Sequence, residues 1–83
     1  MSRNVEWTFQ AWSDLTALHW RTAGNVCREV YDFAQSGTGI LRKLPREEPM
    51  DATHVLTVPP FKVYLSLDPD GTIRVWRVLR YVR

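Results

Sequence analysis

The C-terminal part of the chain carries positive charge at a regular spacing. Its arginines stand at every third position and follow one lysine: Lys62, Arg74, Arg77, Arg80 and Arg83. Only Asp68 and Asp70 oppose them in this segment, although the whole protein has a formal net charge of just +2. Such a local excess of cations favours an anionic partner. Trp76 stands between arginines, and an aromatic ring in that position can stack on a base or cover an apolar side chain of a partner.

The residues around these charges predict a β-hairpin. Residues 61–67 alternate between apolar and polar side chains, which is typical of a strand with one buried face. The last segment is rich in β-branched and aromatic residues, which favour a strand over a helix, and the sequence DPDG between the two has the composition of a tight turn. Because strand faces alternate with period two, we expect Arg74 and Arg80 to share one face. Arg77 and Arg83 would then lie on the other face.

The rest of the chain predicts a helical hairpin and two further strands. Alternation in residues 5–9 indicates an opening strand. Apolar residues at helical spacing indicate a first helix with Ser13 and Asp14 at its start, and a second helix that ends at Gly37. A proline-containing loop then precedes a short strand at 54–58. The predicted fold is therefore α+β, with the order β-α-α-β-β-β and an antiparallel sheet of about four strands packed on the helical hairpin.

The same periodicity predicts the core. The side chains expected to be buried together are Leu15, Leu18, Val26, Val30, Phe33, Val63 and Leu65. Three tryptophans, Trp7, Trp12 and Trp20, are also expected to be packing residues rather than binding surfaces.

Length and composition restrict the class of protein. A chain of 83 residues is expected to form one domain, 1–83, with a small core. Cys27 is the only cysteine, which excludes an intramolecular disulfide and a cysteine zinc cluster. The sequence has no apolar run long enough to span a membrane and no signal-peptide pattern after Met1. We therefore expect a cytoplasmic protein.

Three short segments, in this order, share features with a known family. SGTGILRKL (36–44) is similar to a glycine-containing segment that leads to a leucine. LTVPPFKVYLSLD (56–68) is similar to a strand that runs through a small turn into an aromatic-basic pair, and IRVWRVLRYVR (73–83) stands at the place of the last strand. Together with the order of elements, they resemble the RelE/ParE superfamily of bacterial toxin-antitoxin systems. The resemblance implies a toxin with a RelE/ParE-like fold that a cognate antitoxin neutralises in a hetero-oligomer.

The resemblance also implies a site. In the RNA-cleaving members, a ribose 2′-hydroxyl attacks the adjacent phosphate, which requires cations and groups that move protons. The residues that would serve as catalytic groups here are Lys62, Arg80, His54 and Tyr64. Those that would bind RNA or phosphate are Arg74, Arg77, Trp76, Tyr81 and Arg83. We expect Lys62 and Arg80 to act on one phosphate, and we expect no metal ion or cofactor.

Three functions remain open within this family. The basic hairpin, with His54 and two tyrosines, favours an endoribonuclease that cleaves mRNA in association with the ribosome. The modest net charge favours a ParE-like inhibitor that binds DNA gyrase without cleaving anything, or a degenerate homologue that only binds protein.

Overall fold

The computed structural model describes residues 3–45 and 51–81, which form an α+β fold. The elements along the chain are β1 (Val5–Trp7), α1 (Phe9–Thr16), α2 (Trp20–Ser36), β2 (Ile40–Lys43), β3 (His54–Val58), β4 (Phe61–Leu67) and β5 (Ile73–Arg80). The sheet has the strand order β1-β5-β4-β3-β2. The pair β1 and β5 is parallel, and the other three pairs are antiparallel. The predicted fold class is confirmed.

The sheet differs from the predicted one in two ways. Strand β2 was not indicated by the sequence, because it is a short edge strand in which only Leu41 is half-buried. Strand β1 pairs in parallel with β5, so the sheet is mixed rather than antiparallel. A parallel pair needs a long connection, and here it joins the two ends of the chain, so no local pattern announces it.

The first helix begins earlier than predicted, and the second ends where predicted. Thr8 is the N-cap of α1, and its hydroxyl accepts a hydrogen bond from the backbone N–H of Ala11. The predicted cap residues, Ser13 and Asp14, lie inside the helix. Helix α2 ends at Gly37, whose φ of 76° belongs to the left-handed region that glycine adopts without strain. Neither helix of the described residues is long and apolar enough to cross a membrane.

The core lies between the two helices and one face of the sheet. Its buried side chains are Ala11, Leu15, Val26, Val30, Phe33, Ala34, Leu56, Val58, Phe61, Val63, Leu65, Ile73, Val75 and Val78. The predicted core is confirmed except for Leu18, which is only half-buried because it lies in the connection between the helices. Trp7 and Cys27 are also half-buried against the core, and burial raises the pKa of the Cys27 thiol. Trp12 and Trp20 are wrongly predicted as packing residues, since they are 53% and 71% exposed.

The C-terminal hairpin forms around the predicted DPDG turn. The backbone N–H of Asp68 donates to the carbonyl of Thr72 at 2.9 Å, and the N–H of Thr72 donates to the Asp70 carboxylate at 2.9 Å. This backbone hydrogen bond from Thr72 holds the pKa of Asp70 below its ordinary value. Gly71 has a φ of 90°, which closes the turn at a position where other residues would be strained.

Candidate functional site

One face of the sheet is left uncovered by the two helices. Residues opposite one another in antiparallel strands project to the same side of a sheet. The residues that pair with core residues therefore lie on the helix-covered side. The residues between them along each strand project to the second side. We call the second side the open face. Its side chains from β3, β4, β5 and the residue after β5 are Val55, Thr57, Lys62, Tyr64, Ser66, Arg74, Trp76, Arg77, Leu79 and Tyr81. Most of them are half-buried and polar or aromatic.

The register between β4 and β5 shifts at a β-bulge. Tyr64 pairs with Arg77. The next residue of β4, Leu65, pairs with Val75. Trp76 is therefore an extra residue on β5, and the alternation of faces is displaced by one residue beyond it. No glycine or proline in β5 marks this position, so strict alternation fails as a prediction from Arg77 onward.

The bulge corrects the predicted grouping of the arginines. Arg74, before the bulge, and Arg77, after it, both lie on the open face. Arg80 pairs with Phe61 of the core and therefore lies on the helix-covered side, whereas Lys62 lies on the open face. The prediction that Arg74 and Arg80 share a face is wrong. Because Lys62 and Arg80 project to opposite sides, we expect the effects of removing them to be independent rather than shared.

Lys62 is a lysine of the open face that lies against an aromatic ring. Its Nζ lies over the ring of Tyr81, 5.1 Å from the ring centroid. A cation-π contact of this kind orients the ammonium group but leaves its charge in place. Within the described residues, no carboxylate lies within 4.0 Å of Lys62. A second phenol, Tyr64, lies on the same face two positions along β4.

Arg77 is bound by a carboxylate that lies 63 residues earlier in the chain. Its Nε donates to Oδ2 of Asp14 at 2.7 Å, and its Nη2 donates to Oδ1 at 3.0 Å. The backbone N–H of Val78 donates to the same Oδ2 at 3.0 Å. Asp14 thus accepts three hydrogen bonds from β5, two of them in the bidentate geometry that suits a guanidinium.

These contacts shift the pKa values of both partners. Partial burial raises the pKa of Asp14, but hydrogen bonds from Arg77 and Val78, together with the charge of Arg77, outweigh it and leave that pKa below its ordinary value. The hydrogen bonds to Asp14 and its charge raise the pKa of Arg77. The Nη1 group of Arg77 is not used by Asp14, so the guanidinium keeps donors for a second anion.

Arg74 and Trp76 make their main contacts within the protein. The Nη2 atom of Arg74 lies 3.2 Å from carboxylate oxygens of both Glu6 and Asp68. The guanidinium carbon is 5.9 Å from the ring centroid of Trp76. The indole Nε1 of Trp76 donates to the hydroxyl of Ser66 at 2.9 Å. Two carboxylates therefore offset the charge of Arg74, and the Trp76 ring is held in place.

Known proteins resemble this chain in fold rather than in sequence. No protein-family model matches the sequence, and no curated protein matches it significantly. A chain of the crystal structure of the toxin-antitoxin complex RelBE2 from Mycobacterium tuberculosis matches it with a TM-score of 0.82 and 20% sequence identity, over 98% of this chain and 100% of that chain. This protein has a RelE/ParE-type fold.

The RelE/ParE-type fold brings together only part of the predicted site. Lys62, Tyr64 and Tyr81 lie together on the open face. His54 does not join them, because it pairs with a core residue of β4 and therefore lies on the helix-covered side. Its Nδ1 is 2.9 Å from the hydroxyl of Thr53. His54 and Lys62 therefore lie on opposite sides of the sheet and do not face one substrate together.

The carboxylates that bind the arginines could not be read from local patterns. Asp14 lies in helix α1, and no pattern in the sequence around it indicates that its carboxylate binds Arg77 of β5. The topology of this chain holds a signal, because α1 directly follows the short edge strand β1, and Thr8 and Asp14 bind the edge of β5 beyond the end of β1. An acidic side chain of that helix can then accept an unpaired backbone N–H.

Two further predictions concern the last arginine of the chain and metal binding. Arg83, a predicted phosphate ligand, lies outside the described residues. In the parts of the chain from 3 to 45 and from 51 to 81, no three His, Cys, Asp or Glu side chains are grouped so that they could hold a metal ion.

Proposed function

We propose that this protein is the toxin of a type II toxin-antitoxin system, and that it cleaves mRNA in the cytoplasm in association with the ribosome. The toxin proposal is supported by the RelE/ParE-type fold, which the protein shares with a chain of a solved toxin-antitoxin complex. The proposal of RNA cleavage is carried by one observation. On the face that the helices leave open, Lys62 lies beside Tyr64 and Tyr81 and forms no ion pair with any carboxylate of the described residues.

The proposed reaction uses the RNA's own 2′-hydroxyl as the nucleophile. The 2′-oxygen forms a bond to phosphorus as the bond from phosphorus to the 5′-oxygen breaks, which gives a 2′,3′-cyclic phosphate and a 5′-hydroxyl end. Lys62 stabilises the charge that builds on the non-bridging oxygens. The Nη1 group of Arg77, which Asp14 does not use, supplies a second set of donors on a guanidinium that Asp14 holds in place. Tyr64 and Tyr81 are the groups placed to relay protons to or from the ribose oxygens.

Lys62→Ala is expected to lower the rate of RNA cleavage by about ten- to thirtyfold, because it removes the cation that meets the developing charge. The loss is smaller than at a closed site since Lys62 is only half-buried. The measurement is the cleavage of a ribosome-bound mRNA by purified protein, alongside growth of cells in which the protein is induced. Lys62→Arg should restore part of the activity, because it restores the charge.

The matched control is Lys43→Ala. Lys43 is an exposed lysine on β2 that pairs with His54 and so does not belong to the open face. The Lys43→Ala variant should keep the cleavage rate and the toxicity near those of the parent protein. Equal activity of Lys62→Ala and Lys43→Ala, with both proteins folded, would rule out the proposed role of Lys62.

A second candidate function is inhibition of DNA gyrase without catalysis. It is favoured by the small number of predicted catalytic groups that accompany Lys62. Arg74 and Arg77 are bound by carboxylates, and His54 lies on the helix-covered side of the sheet. Induction in cells separates the two candidates. Arrested translation with cut mRNA supports the nuclease, and accumulation of DNA breaks with intact mRNA supports the gyrase inhibitor.

A further inference from the structure

A cleft of about 320 Å³ lies between the start of α2 and the turn that joins β3 to β4. Its apolar lining includes three buried core residues, Val26, Val58 and Phe61, and the two prolines of the turn. Arg21 and Asn25 stand at its polar rim. An apolar side chain that entered the cleft would therefore contact the core directly and remove apolar surface from water.

One arginine lines this cleft, and two more lie beside residues that line it. Arg21 lines it. Arg80 pairs with Phe61 in the register of the sheet and projects to the same side, where it is exposed. Arg28 donates a hydrogen bond from Nη2 to Oδ1 of Asn25, which also lines the cleft. The apolar floor of the cleft thus has one arginine at its rim and two more beside its lining residues.

None of these three arginines has a carboxylate partner within the described residues. The ion pairs that the structure shows there are all made by the two arginines of the open face. Glu29 follows Arg28 on α2, but its carboxylate is not within 4.0 Å of any of the three. Within the part of the chain that the structure describes, the charge of these arginines is therefore not offset by an ion pair, and such charge attracts carboxylates of another molecule.

An apolar floor with a basic rim fits a protein segment better than it fits RNA. Phosphates gain nothing from apolar contacts, and bases need an aromatic platform. The aromatic ring in the cleft lining, Phe61, is only 6% exposed and so offers no open ring face on which a base could stack. A segment with one large apolar side chain flanked by acidic residues meets both requirements, since the apolar group fills the cleft and the carboxylates reach the arginines.

We propose that this cleft docks an acidic, amphipathic segment of a protein partner, which places an apolar side chain on Phe61 and carboxylates against Arg21, Arg28 and Arg80. The inference rests on the proposed function, in which that partner is the antitoxin. It gives Arg80 a role in partner binding, on the side of the sheet opposite Lys62.

The test uses the full chain and the product of the reading frame next to its gene, purified as a complex. A double charge reversal, Arg21→Glu with Arg80→Glu, is expected to weaken the complex by about tenfold or more and to reduce the salt dependence of association. Asn25→Trp should weaken it as well by filling the cleft. The matched control is Arg42→Glu with Lys43→Glu, which makes the same change of charge on the exposed edge strand β2 and should have little effect.

The outcomes separate this inference from the proposed function. If the complex forms and the cleft variants bind as tightly as the parent, with unchanged melting temperatures, the docking site is refuted and the toxin proposal stands. If the double reversal weakens binding of a single-stranded RNA oligonucleotide but not of the partner, the cleft belongs to RNA and the inference is again refuted.

If no complex forms at all, the antitoxin proposal fails. A synthetic helical peptide of leucines and glutamates then tests the cleft by itself. The docking site is supported if the peptide binds the parent protein, and if binding is lost both in the double reversal and when glutamines replace the peptide's glutamates. If the peptide does not bind the parent protein, the docking site is refuted.

Discussion

Replacement of Phe33 by alanine is expected to lower the free energy of unfolding by about 3 to 5 kcal/mol. Phe33 lies on α2 and is 7% exposed within the core between the helices and the sheet. Its loss removes apolar contacts and leaves a cavity that neighbouring side chains fill only in part. Small domains have total stabilities of about 5 to 15 kcal/mol, so this single change removes a large share.

Denaturant unfolding of the parent and the variant measures this loss. Tyr31→Ala is the matched control, because Tyr31 is an aromatic residue of the same helix that is 49% exposed. Its removal should cost about 1 kcal/mol or less. If Phe33→Ala and Tyr31→Ala shift the midpoint by the same amount, Phe33 does not occupy the centre of the core.

Asp14→Ala is expected to lower the free energy of unfolding by about 2 to 3 kcal/mol at neutral pH. The variant leaves the guanidinium of Arg77 and the N–H of Val78 without the acceptor that serves both. The side chains of Asp14 and Arg77 are 17% and 36% exposed, so water replaces part of what is lost and the cost stays below that of a fully buried pair. Asp14→Asn should be intermediate, because it keeps an acceptor for Val78 but loses the charge.

The effect of Asp14 should depend on pH in a defined direction. Because folding lowers its pKa below the ordinary value of 3.8, the stabilisation is present above that value and is lost as pH falls through the folded pKa. The difference between parent and Asp14→Ala should therefore be constant from about pH 5 to 7 and should shrink below about pH 4. Asp32→Ala, at an exposed aspartate of α2, is the control. A difference that persists unchanged into acid would show that charge is not the cause.

Asp14 also completes the edge of the sheet. Strand β1 pairs with β5 only over Ile73–Val75. Beyond β1, the backbone N–H of Thr8 donates to the carbonyl of Val75 at 3.0 Å, and the Thr8 hydroxyl donates to the carbonyl of Trp76 at 3.1 Å. The carboxylate of Asp14 then accepts a hydrogen bond from the backbone N–H of Val78. Unpaired strand edges invite pairing with other chains. The start of α1 therefore occupies an edge that β1 is too short to cover.

Much of the fold could be predicted from local sequence. Alternation in residues 61–67 and the DPDG turn predicted the hairpin, and Gly37 predicted the end of α2. These signals are local because backbone preference and turn geometry depend on a few consecutive residues. Strand β2 escaped prediction because a short exposed edge strand has no face to bury and hence no alternation.

The site could be predicted only in part. The types of its residues were visible, since Lys62, Tyr64 and Tyr81 stand in a basic, aromatic segment and lie together on the open face. Which other cations join them was not visible. One extra residue, Trp76, moves Arg77 onto that face and Arg80 away from it.

The sequence by itself determined every element except β2, most of the apolar positions that form the core, and the concentration of charge at the hairpin. The tertiary structure alone decided the faces on which the charges lie and the carboxylates that meet them. A side chain changes face with every residue, so a single bulge reverses the outcome for all later positions. The partner of Arg77 is set by a helix 63 residues away, because only the parallel pairing of β1 with β5 brings Asp14 beside that edge.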